Sequence, residues 1–241
     1  MLSTFEPVLI GADTPRCRAY AAAVEHSGTG PIRGIFYAGR AASRMRRHPE
    51  RETIGGIWYP PVGESAGDIF SRNGWEQQWL DASTINEAQV RDALKASRAP
   101  FAIFAGKPGE IVSPDVLALG IPILHLHPGA LPAQRGSTTI YYSILEKRPI
   151  SVSSLLLATE IDAGPILDVR EYSVPPPGTD LDVSFDVAIR SDALIHILHR
   201  YRREGQLPPA LPYPRGEAAL YFIVHPVLKH LALLSSSSRI A

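Results

Sequence analysis

The sequence predicts an α/β fold, with a doubly wound, mostly parallel sheet and helices on both of its faces. Short apolar runs alternate with segments of helical spacing over residues 7–127, which is the order of a parallel sheet. Apolar residues make up 45% and charged residues 20% of the 241 residues, as in an ordinary globular chain. The 24 Lys and Arg balance the 24 Asp and Glu, so a broad nucleic-acid-binding surface is not expected.

The first half of the chain begins with a predicted strand, helix and strand. Pro7–Gly11 is an apolar run that ends in glycine, which favours a buried strand. Thr14 and Pro15 are typical of an N-cap and a first helical residue, and the helix continues to about His26. Further predicted elements are strands at 32–37, 79–82, 100–106 and 122–127, helices at 86–97 and 113–120, and a loop with one short helix at 57–77. This order is typical of a Rossmann-like sheet.

The second half contains a long amphipathic helix and a less regular end. The predicted elements are a helix at 138–145, strands at 152–158 and 166–172, and a helix at 181–201. A Pro-rich connection leads to an apolar segment, residues 220–234, which we predict to be a packed terminal helix. Its apolar face would include Phe222, Val227, Leu228 and Leu231, and Ser235–Ser238 would be a frayed tail.

Cysteine content and hydropathy limit where the chain is expected to work. Cys17 is the single cysteine, so no intramolecular disulfide can form. The N-terminus has no basic region followed by an apolar run, and no stretch of ~18 apolar residues occurs. We therefore expect neither a signal peptide nor a membrane span, and a cytoplasmic protein without a membrane partner.

Candidate functional residues follow two predicted strands, since open α/β sheets bind ligands at the carboxyl ends of their strands. The first strand end continues into a glycine-containing loop, residues 104–111, whose backbone a ligand could approach closely. The second contains His125 and His127, which alternation along a strand places on one face. Asp162 follows in a glycine turn, and a histidine with a carboxylate is a natural pair for general acid–base catalysis.

Two motifs in this region resemble the formyltransferases that use 10-formyltetrahydrofolate. Those proteins show Asn-x-His-Pro-Ser-x-Leu-Pro-x-x-Arg-Gly, followed by a loop that reads Asp-x-Gly-x-Ile. This sequence has His125-Leu126-His127-Pro128-Gly129-Ala130-Leu131-Pro132-Ala133-Gln134-Arg135-Gly136 and then Asp162-Ala163-Gly164-Pro165-Ile166. The resemblance extends over residues 101–169 and departs from the family pattern at His125, which stands in place of asparagine, and at Gly129, which stands in place of serine.

The resemblance implies transfer of a formyl group from 10-formyltetrahydrofolate, the expected co-substrate, to an amine. His127 would be a proton shuttle and oxyanion stabiliser, Asp162 would hold it, and His125 would donate to the formyl oxygen as the family asparagine does. The pterin would lie against the backbone of the 104–112 and 158–162 loops. The expected cofactor-binding residues are Phe104, Ala105, Gly106, Lys107, Gly109, Ile111, Glu160 and Ile161.

The expected acceptor is an amine of a small molecule, with an amino sugar, often nucleotide-linked in this family, as the leading class. The segment after the first strand, Gly11–Arg16, lacks the glycine cluster of the family's ribonucleotide-binding members. Residues 40–51 contain five arginines and one acid, which indicates either a solvated helix face or a site for an anionic group. The expected substrate-binding residues are Arg135, Gly136, Arg40 and Arg44.

The resemblance also implies a domain division and leaves alternatives open. Residues 1–205 would form the formyltransferase-like catalytic domain, and residues 206–241 a short C-terminal extension packed on it. No structural metal is expected, yet His125 and His127 with an acid also fit a metal-dependent hydrolase or lyase. A formyl-folate hydrolase and an inactive folate-binding relative are further alternatives, and the oligomeric state, a homodimer included, is left open.

Overall fold

The computed structural model describes residues 6–39, 53–212 and 218–237, with side chains up to residue 235. The chain divides into two compact units, Met1–Arg51 with Pro60–His125 and Glu52–Tyr59 with Leu126–Ala241. The described strands are β1 Val8–Ala12, β2 Arg33–Tyr37, β3 Thr53–Ile54, β4 Ile57–Trp58, β5 Gln77–Trp79, β6 Ala102–Ala105, β7 Ile123–His127, β8 Arg135–Gly136, β9 Ile150–Leu156, β10 Ile166–Tyr172 and β11 Leu220–Tyr221. The described helices are α1 Pro15–Ser27, α2 Ala66–Arg72, α3 Ala88–Ser97, α4 Pro114–Leu117, α5 Thr139–Leu145, α6 Asp186–Glu204 and α7 Pro226–Ser237.

The described strands form a seven-stranded, mostly parallel sheet, which confirms the predicted fold class. Its order is β10-β9-β7-β6-β1-β2-β5, and two further pairs, β8-β11 and β3-β4, lie outside it. The strand order reverses at β1, which pairs in parallel with both β2 and β6, as expected for a doubly wound sheet. The sheet is antiparallel between β9 and β10.

In the first unit, local sequence signals set the β1–α1 connection. The Thr14 hydroxyl accepts from the backbone N–H of Cys17, Pro15 occupies the first helical position, and Gly28 ends α1 in a left-handed conformation. Gly11 is required for a different reason. A Cβ built there would lie 2.3 Å from the carbonyl oxygen of Ala105, so a side chain would separate β1 from β6.

In the second unit, the long helix α6 packs against β9 and β10. Leu131, Leu155 and Ile166 form a buried cluster between the loop after β7 and the β9–β10 pair. A π-helical turn, Leu181–Phe185, precedes α6, where the sequence pattern predicts one continuous helix. No helix of the described residues is long and apolar enough to cross a membrane.

Several element boundaries differ from the predictions, and two of the differences follow from strand pairs that are distant in sequence. The strand predicted at 79–82 lies at Gln77–Trp79, where pairing with β2 fixes it. The β3–β4 hairpin falls partly within the predicted 57–77 loop. The terminal helix begins at Pro226 instead of residue 220, because Leu220–Tyr221 pair with Arg135–Gly136 as a strand.

The predicted apolar face of the terminal segment was wrong. Helix α7 packs against α5, with Ala232 fully buried, whereas Phe222, Val227, Leu228 and Leu231 are exposed. The predicted frayed tail also starts too early, since Ser235–Ser237 continue the helix. A small residue such as alanine allows close helix approach, which hydropathy alone does not indicate.

Candidate functional site

His127 is the last residue of β7, and the following loop folds back over its ring. The imidazole is only 2% exposed, and its Nε2 lies 2.7 Å from the backbone carbonyl oxygen of Gln134. A carbonyl oxygen can only accept, so Nε2 carries the hydrogen in this bond. In the neutral ring, Nδ1 therefore presents its lone pair.

The carboxylate of Asp162 faces that second ring nitrogen. Asp162 Oδ2 lies 3.5 Å from His127 Nδ1 and accepts a hydrogen bond of 2.9 Å from the backbone N–H of Gly136. Asp162 has a left-handed φ of 52°, and a Cβ at the neighbouring Gly164 would lie 1.8 Å from the Leu156 carbonyl oxygen. The turn is thus shaped by close backbone approach, which holds the carboxylate toward the histidine.

Burial and charge act in opposite directions on His127. Burial lowers the pKa of the imidazole, because the charged form loses hydration, and this effect dominates. The Asp162 carboxylate opposes the shift by stabilising an added proton at Nδ1. The result is a mainly neutral histidine with a defined position for one more proton.

The loop that covers His127 is held by buried polar side chains that the sequence analysis missed. The Gln134 amide oxygen accepts from the Ala130 backbone N–H, and its NH₂ group donates to Ser143 Oγ at 3.0 Å. Ser153 Oγ donates to the Gly129 carbonyl oxygen at 2.6 Å and accepts from the Leu131 backbone N–H. Gln134 occupies a variable position of the motif, so only its burial reveals this role.

Gly129 explains one of the two departures from the family motif. A Cβ at this position would lie 2.6 Å from the Gln134 carbonyl oxygen and 2.8 Å from His127 Nε2. The glycine therefore leaves room for the hydrogen bond between those two atoms. The other departure, His125, is half-buried on β7, with its ring centroid 6.2 Å from that of Phe104.

Arg190 is a further residue that the sequence analysis missed. It lies in α6, pairs with Asp186 at 2.8 Å and donates to the Leu126 carbonyl oxygen. Its charge lowers the pKa of His127, while the Asp186 charge raises it. An arginine within an amphipathic helix gives no signal in sequence that it points inward.

The loop after β6, in the first unit, contains most of the expected cofactor-binding residues and is braced by Glu110. The Glu110 carboxylate accepts hydrogen bonds of 2.8 Å from the Tyr37 hydroxyl and from the backbone N–H groups of Ile85 and Lys107. A Cβ at Gly106 would lie 2.4 Å from this carboxylate, so Gly106 serves the loop's own packing. Gly109 has open space around it, and the Ile111 side chain is exposed.

Among the remaining expected binding residues, Arg135 and Glu160 contact each other. Arg135 forms an ion pair of 2.8 Å with Glu160 and donates to the Ile161 carbonyl oxygen. These contacts connect β8 with the Asp162 turn. Arg40 and Arg44 lie outside the described residues.

Comparisons with known proteins agree with this fold and these motifs. A methionyl-tRNA formyltransferase of Roseiflexus sp. (strain RS-1) is 28% identical over 201 residues, which cover 77% of this chain and 62% of that protein. Two further methionyl-tRNA formyltransferases are 29% and 30% identical over 40% and 47% of this chain, so the chain is similar in sequence to formyltransferases. No family model matches the chain, and it spans between 31% and 62% of the length of the curated relatives it matches.

Solved structures share the fold of this chain at low sequence identity. A 4-N formyltransferase from Francisella tularensis has a TM-score of 0.59 at 13% identity, covering 97% of this chain and 88% of the other. A sugar N-formyltransferase from Shewanella sp. FDAARGOS_354 has a TM-score of 0.56 at 17% identity, covering 96% and 87%.

Proposed function

We propose that the protein transfers a formyl group from 10-formyltetrahydrofolate to the amine of a small molecule. The observation that carries this proposal is the buried His127–Asp162 pair, which follows a strand of the formyltransferase sheet within the family motifs. The pair supports acid–base chemistry because it has a fixed tautomer and a prepared position for one additional proton.

The residues after β6 fit a folate-type donor through their backbone. A pterin is flat and has amide-like donors and acceptors, which backbone N–H and C=O groups complement. The 104–111 loop offers such groups, and hydrogen bonds to the Glu110 carboxylate hold the loop in place. The space around Gly109 is open, so a ligand can approach the backbone there. We propose Phe104–Lys107, Gly109 and Ile111 as the donor-binding part of the first unit, and Glu160 and Ile161 as that of the second.

When bound, 10-formyltetrahydrofolate supplies the formyl carbon. The acceptor nitrogen loses one proton as its bond to that carbon forms, and the leaving nitrogen gains one. His127 can receive a proton at Nδ1, where the Asp162 carboxylate stabilises it at 3.5 Å. For Nε2 to reach a reacting atom, that atom must replace the Gln134 carbonyl oxygen as the partner of Nε2–H. His125 is the second proposed donor, since an imidazole N–H can replace an asparagine amide.

For the acceptor we propose an amino sugar or a similar small amine. Structural neighbours from Shewanella and Francisella are named for sugar and 4-N formyl transfer, which supports this class. The end of β1 does not favour a phosphate, because buried Asp13 occupies it, paired with Arg18 at 2.9 Å and accepting from the Ala66 backbone N–H. Arg135 and Gly136 are the proposed acceptor-side residues among those described.

The test is incubation with 10-formyltetrahydrofolate and a panel of amino sugars and other small amines. Mass spectrometry should show the gain of one formyl group on one class of amine, with the His127→Gln protein as the inactive control. Release of formate without an acceptor would indicate a formyl-folate hydrolase instead. Tight folate binding without turnover on any amine would indicate an inactive relative and would contradict the proposal.

A metal-dependent hydrolase or lyase is the second candidate. The observation that favours it is the His-x-His spacing on β7, with the Asp162 carboxylate beside the second histidine. Metal analysis of protein purified without a His-tag distinguishes the two. One equivalent of zinc or iron that is lost in His125→Asn would favour this candidate, whereas metal-free protein with full formyl transfer would exclude it.

A further inference from the structure

A buried arginine of helix α6 contacts the end of strand β7. Arg190 is 7% exposed, and its Nε–H donates to Asp186 Oδ1 at 2.8 Å. A second nitrogen of the same guanidinium donates to the Leu126 carbonyl oxygen, which belongs to the peptide group that leads into His127. A peptide group is planar, so a hydrogen bond to its oxygen restrains the orientation of the whole group. Arg190 therefore holds the backbone that carries the His127 ring.

A packing role alone does not account for a charge at this position. A guanidinium keeps its proton, so Arg190 stays charged when it is buried and loses its hydration. Elsewhere the buried face of α6 is apolar, as at Ile189, Ala193 and Leu194, and an apolar side chain would avoid that cost. What the charge adds is a strong, directed donor for the carbonyl oxygen.

Gln134, Asp162 and Arg190 hold different parts of the His127 segment. The Gln134 carbonyl oxygen accepts from Nε2 of the imidazole, and the Asp162 carboxylate lies 3.5 Å from Nδ1. Arg190 holds the peptide group that precedes the ring. A separation of 3.5 Å is at the long end of hydrogen-bonding distances, so a small tilt of that peptide group would move Nδ1 out of reach of the carboxylate.

Asp186 makes it possible for a cation to lie close to the histidine. The Arg190 charge lowers the pKa of His127, whereas the charges of Asp162 and Asp186 raise it. Arg190 and Asp186 form an ion pair with an N–O distance of 2.8 Å, so their effects on the imidazole oppose each other. The pair thus supplies a charged donor to the backbone with little net charge beside His127.

We propose that Arg190, neutralised by Asp186, is a positioning residue for His127. It restrains the peptide group before the histidine, so that the imidazole keeps its place beside the Asp162 carboxylate. This inference rests on the proposed function, because a fixed place matters only if His127 exchanges protons with a reacting group.

Steady-state formyl transfer by two variants tests the position of the donor. Arg190→Met keeps the length of the side chain but removes the donor, so kcat should fall by about 10–10²-fold, as expected for a small misplacement of a catalytic group. KM for 10-formyltetrahydrofolate should change by less than about threefold, because the substitution leaves the folate contacts in place. Arg190→Lys keeps a cation that can donate to the carbonyl oxygen and should recover most of the lost rate.

Arg170→Met is the matched control for Arg190→Met. Arg170, on β10, also connects α6 to a strand, through a hydrogen bond of 3.1 Å to Asp192, but this contact does not involve β7. Its loss can lower stability and should leave kcat at the wild-type value. A fall in kcat of the same size in both variants would show that any weakening of the α6 contacts slows turnover, and it would overturn the proposal.

The double variant Arg190→Met/Asp186→Asn separates the donor from the charge. It leaves no unpaired carboxylate at residue 186, and replacing both partners of a buried ion pair is often tolerated in folding. The peptide group still lacks its donor, so kcat should stay as low as in Arg190→Met. Recovery of the wild-type rate would assign the effect to the unpaired Asp186 charge and would overturn the proposal.

The ¹⁵N shifts of the His127 imidazole, measured without substrate, give a result that does not depend on turnover. The signals are assigned by their loss in His127→Gln. They should move in Arg190→Met and in the double variant, and they should stay unchanged in Arg170→Met. Unchanged shifts in the Arg190 variants, or moved shifts with a wild-type kcat, would overturn the proposal. If no amine is formylated, the proposed function fails, and the shifts alone decide whether Arg190 positions the ring.

Discussion

Glu110 and Asp162 are two carboxylates that each hold a loop beyond a strand, yet their surroundings differ in kind. Glu110, in the first unit, accepts from three donors that keep their hydrogens: two backbone N–H groups and the Tyr37 hydroxyl. Burial raises the pKa of Tyr37 far above its ordinary value, so this hydroxyl stays protonated. Asp162, in the second unit, accepts from one backbone N–H and faces an imidazole whose proton content can change.

The difference separates a structural carboxylate from a candidate catalytic one. Glu110 accepts from three fixed donors, and removing its carboxylate would leave backbone N–H groups of Ile85 and Lys107 without this partner. The Asp162 carboxylate is positioned by the backbone N–H of Gly136, and it also faces the His127 imidazole, which can take up a proton. Whether a carboxylate in such a loop is a catalytic candidate therefore depends on whether its partners can titrate, and these partners are known only from the structure.

The largest expected effect is that of His127→Gln. Glutamine keeps a polar side chain at the end of β7 but cannot take up a proton, so kcat should fall by about 10²–10⁴-fold, the usual contribution of a positioned acid–base group. Folate binding should remain within about tenfold, or ~1.4 kcal/mol. Steady-state kinetics and fluorescence titration with folate measure the two quantities.

His196→Gln is the matched control for this change, since His196 lies on α6 with a half-buried ring near Asp168, away from His127. Its turnover should equal that of the wild type. Retained turnover in His127→Gln would show that His127 is not the catalyst. The distinction between Asp162 as a catalytic candidate and Glu110 as a structural carboxylate would then also fail.

The next largest effect is expected for Asp162→Asn, which we compare with the corresponding amide substitution of Glu110. Asp162→Asn keeps an oxygen for the Gly136 N–H but removes the charge, so kcat should fall by about 10²-fold. The inflection of the pH–rate profile that belongs to His127 should move to lower pH, because the charge that opposes the effect of burial is gone.

Glu110→Gln should act differently, by lowering the free energy of unfolding by about 1–3 kcal/mol without moving that inflection. Thermal unfolding and pH–rate profiles of both variants distinguish the two behaviours. A profile that shifts in Glu110→Gln, or fails to shift in Asp162→Asn, would show that the two environments have been assigned wrongly.

A smaller effect is expected from Gly129→Ser, which restores the family residue. The new Cβ would meet the Gln134 carbonyl oxygen and His127 Nε2, so the hydrogen bond between them must lengthen or break. We expect a loss of about 1–3 kcal/mol in the free energy of unfolding. ¹⁵N shifts of the imidazole should also move away from those of the Nε2–H tautomer.

Ala130→Ser, one residue further on and half-buried, is the control for the Gly129 change. It adds the same hydroxyl outside the His127–Gln134 contact and should alter neither quantity. Unchanged imidazole shifts in Gly129→Ser would mean that the loop accommodates the serine and that the glycine is not needed for the tautomer.

These residues also show what the sequence could and could not predict. The sequence predicted the strands β1, β6 and β7, the N-cap of α1 and the pair His127 and Asp162. Each of these follows from hydrophobic periodicity, a capping residue or motif spacing, which are local properties of the chain. Gln134, Ser153 and Arg190 were missed, since their roles depend on which distant group each one meets inside the second unit. The buried face of α7 was predicted wrongly for the same reason, because the hydropathy of a helix does not show which of its apolar residues contact the rest of the protein.

The smallest effect concerns the pH dependence of stability, and its sign follows from His127. Burial holds the pKa of His127 below the ordinary value of about 6.5, so below that pH the unfolded chain binds more protons than the folded one. The stability that neutral His127 contributes is therefore complete above about pH 6.5 and is lost as the pH falls toward the folded-state pKa. Denaturant unfolding between pH 8 and pH 5 should show a steeper decline for the wild type than for His127→Gln. Equal slopes for the wild type and His127→Gln would mean that His127 binds its proton as readily in the folded protein as in the unfolded chain.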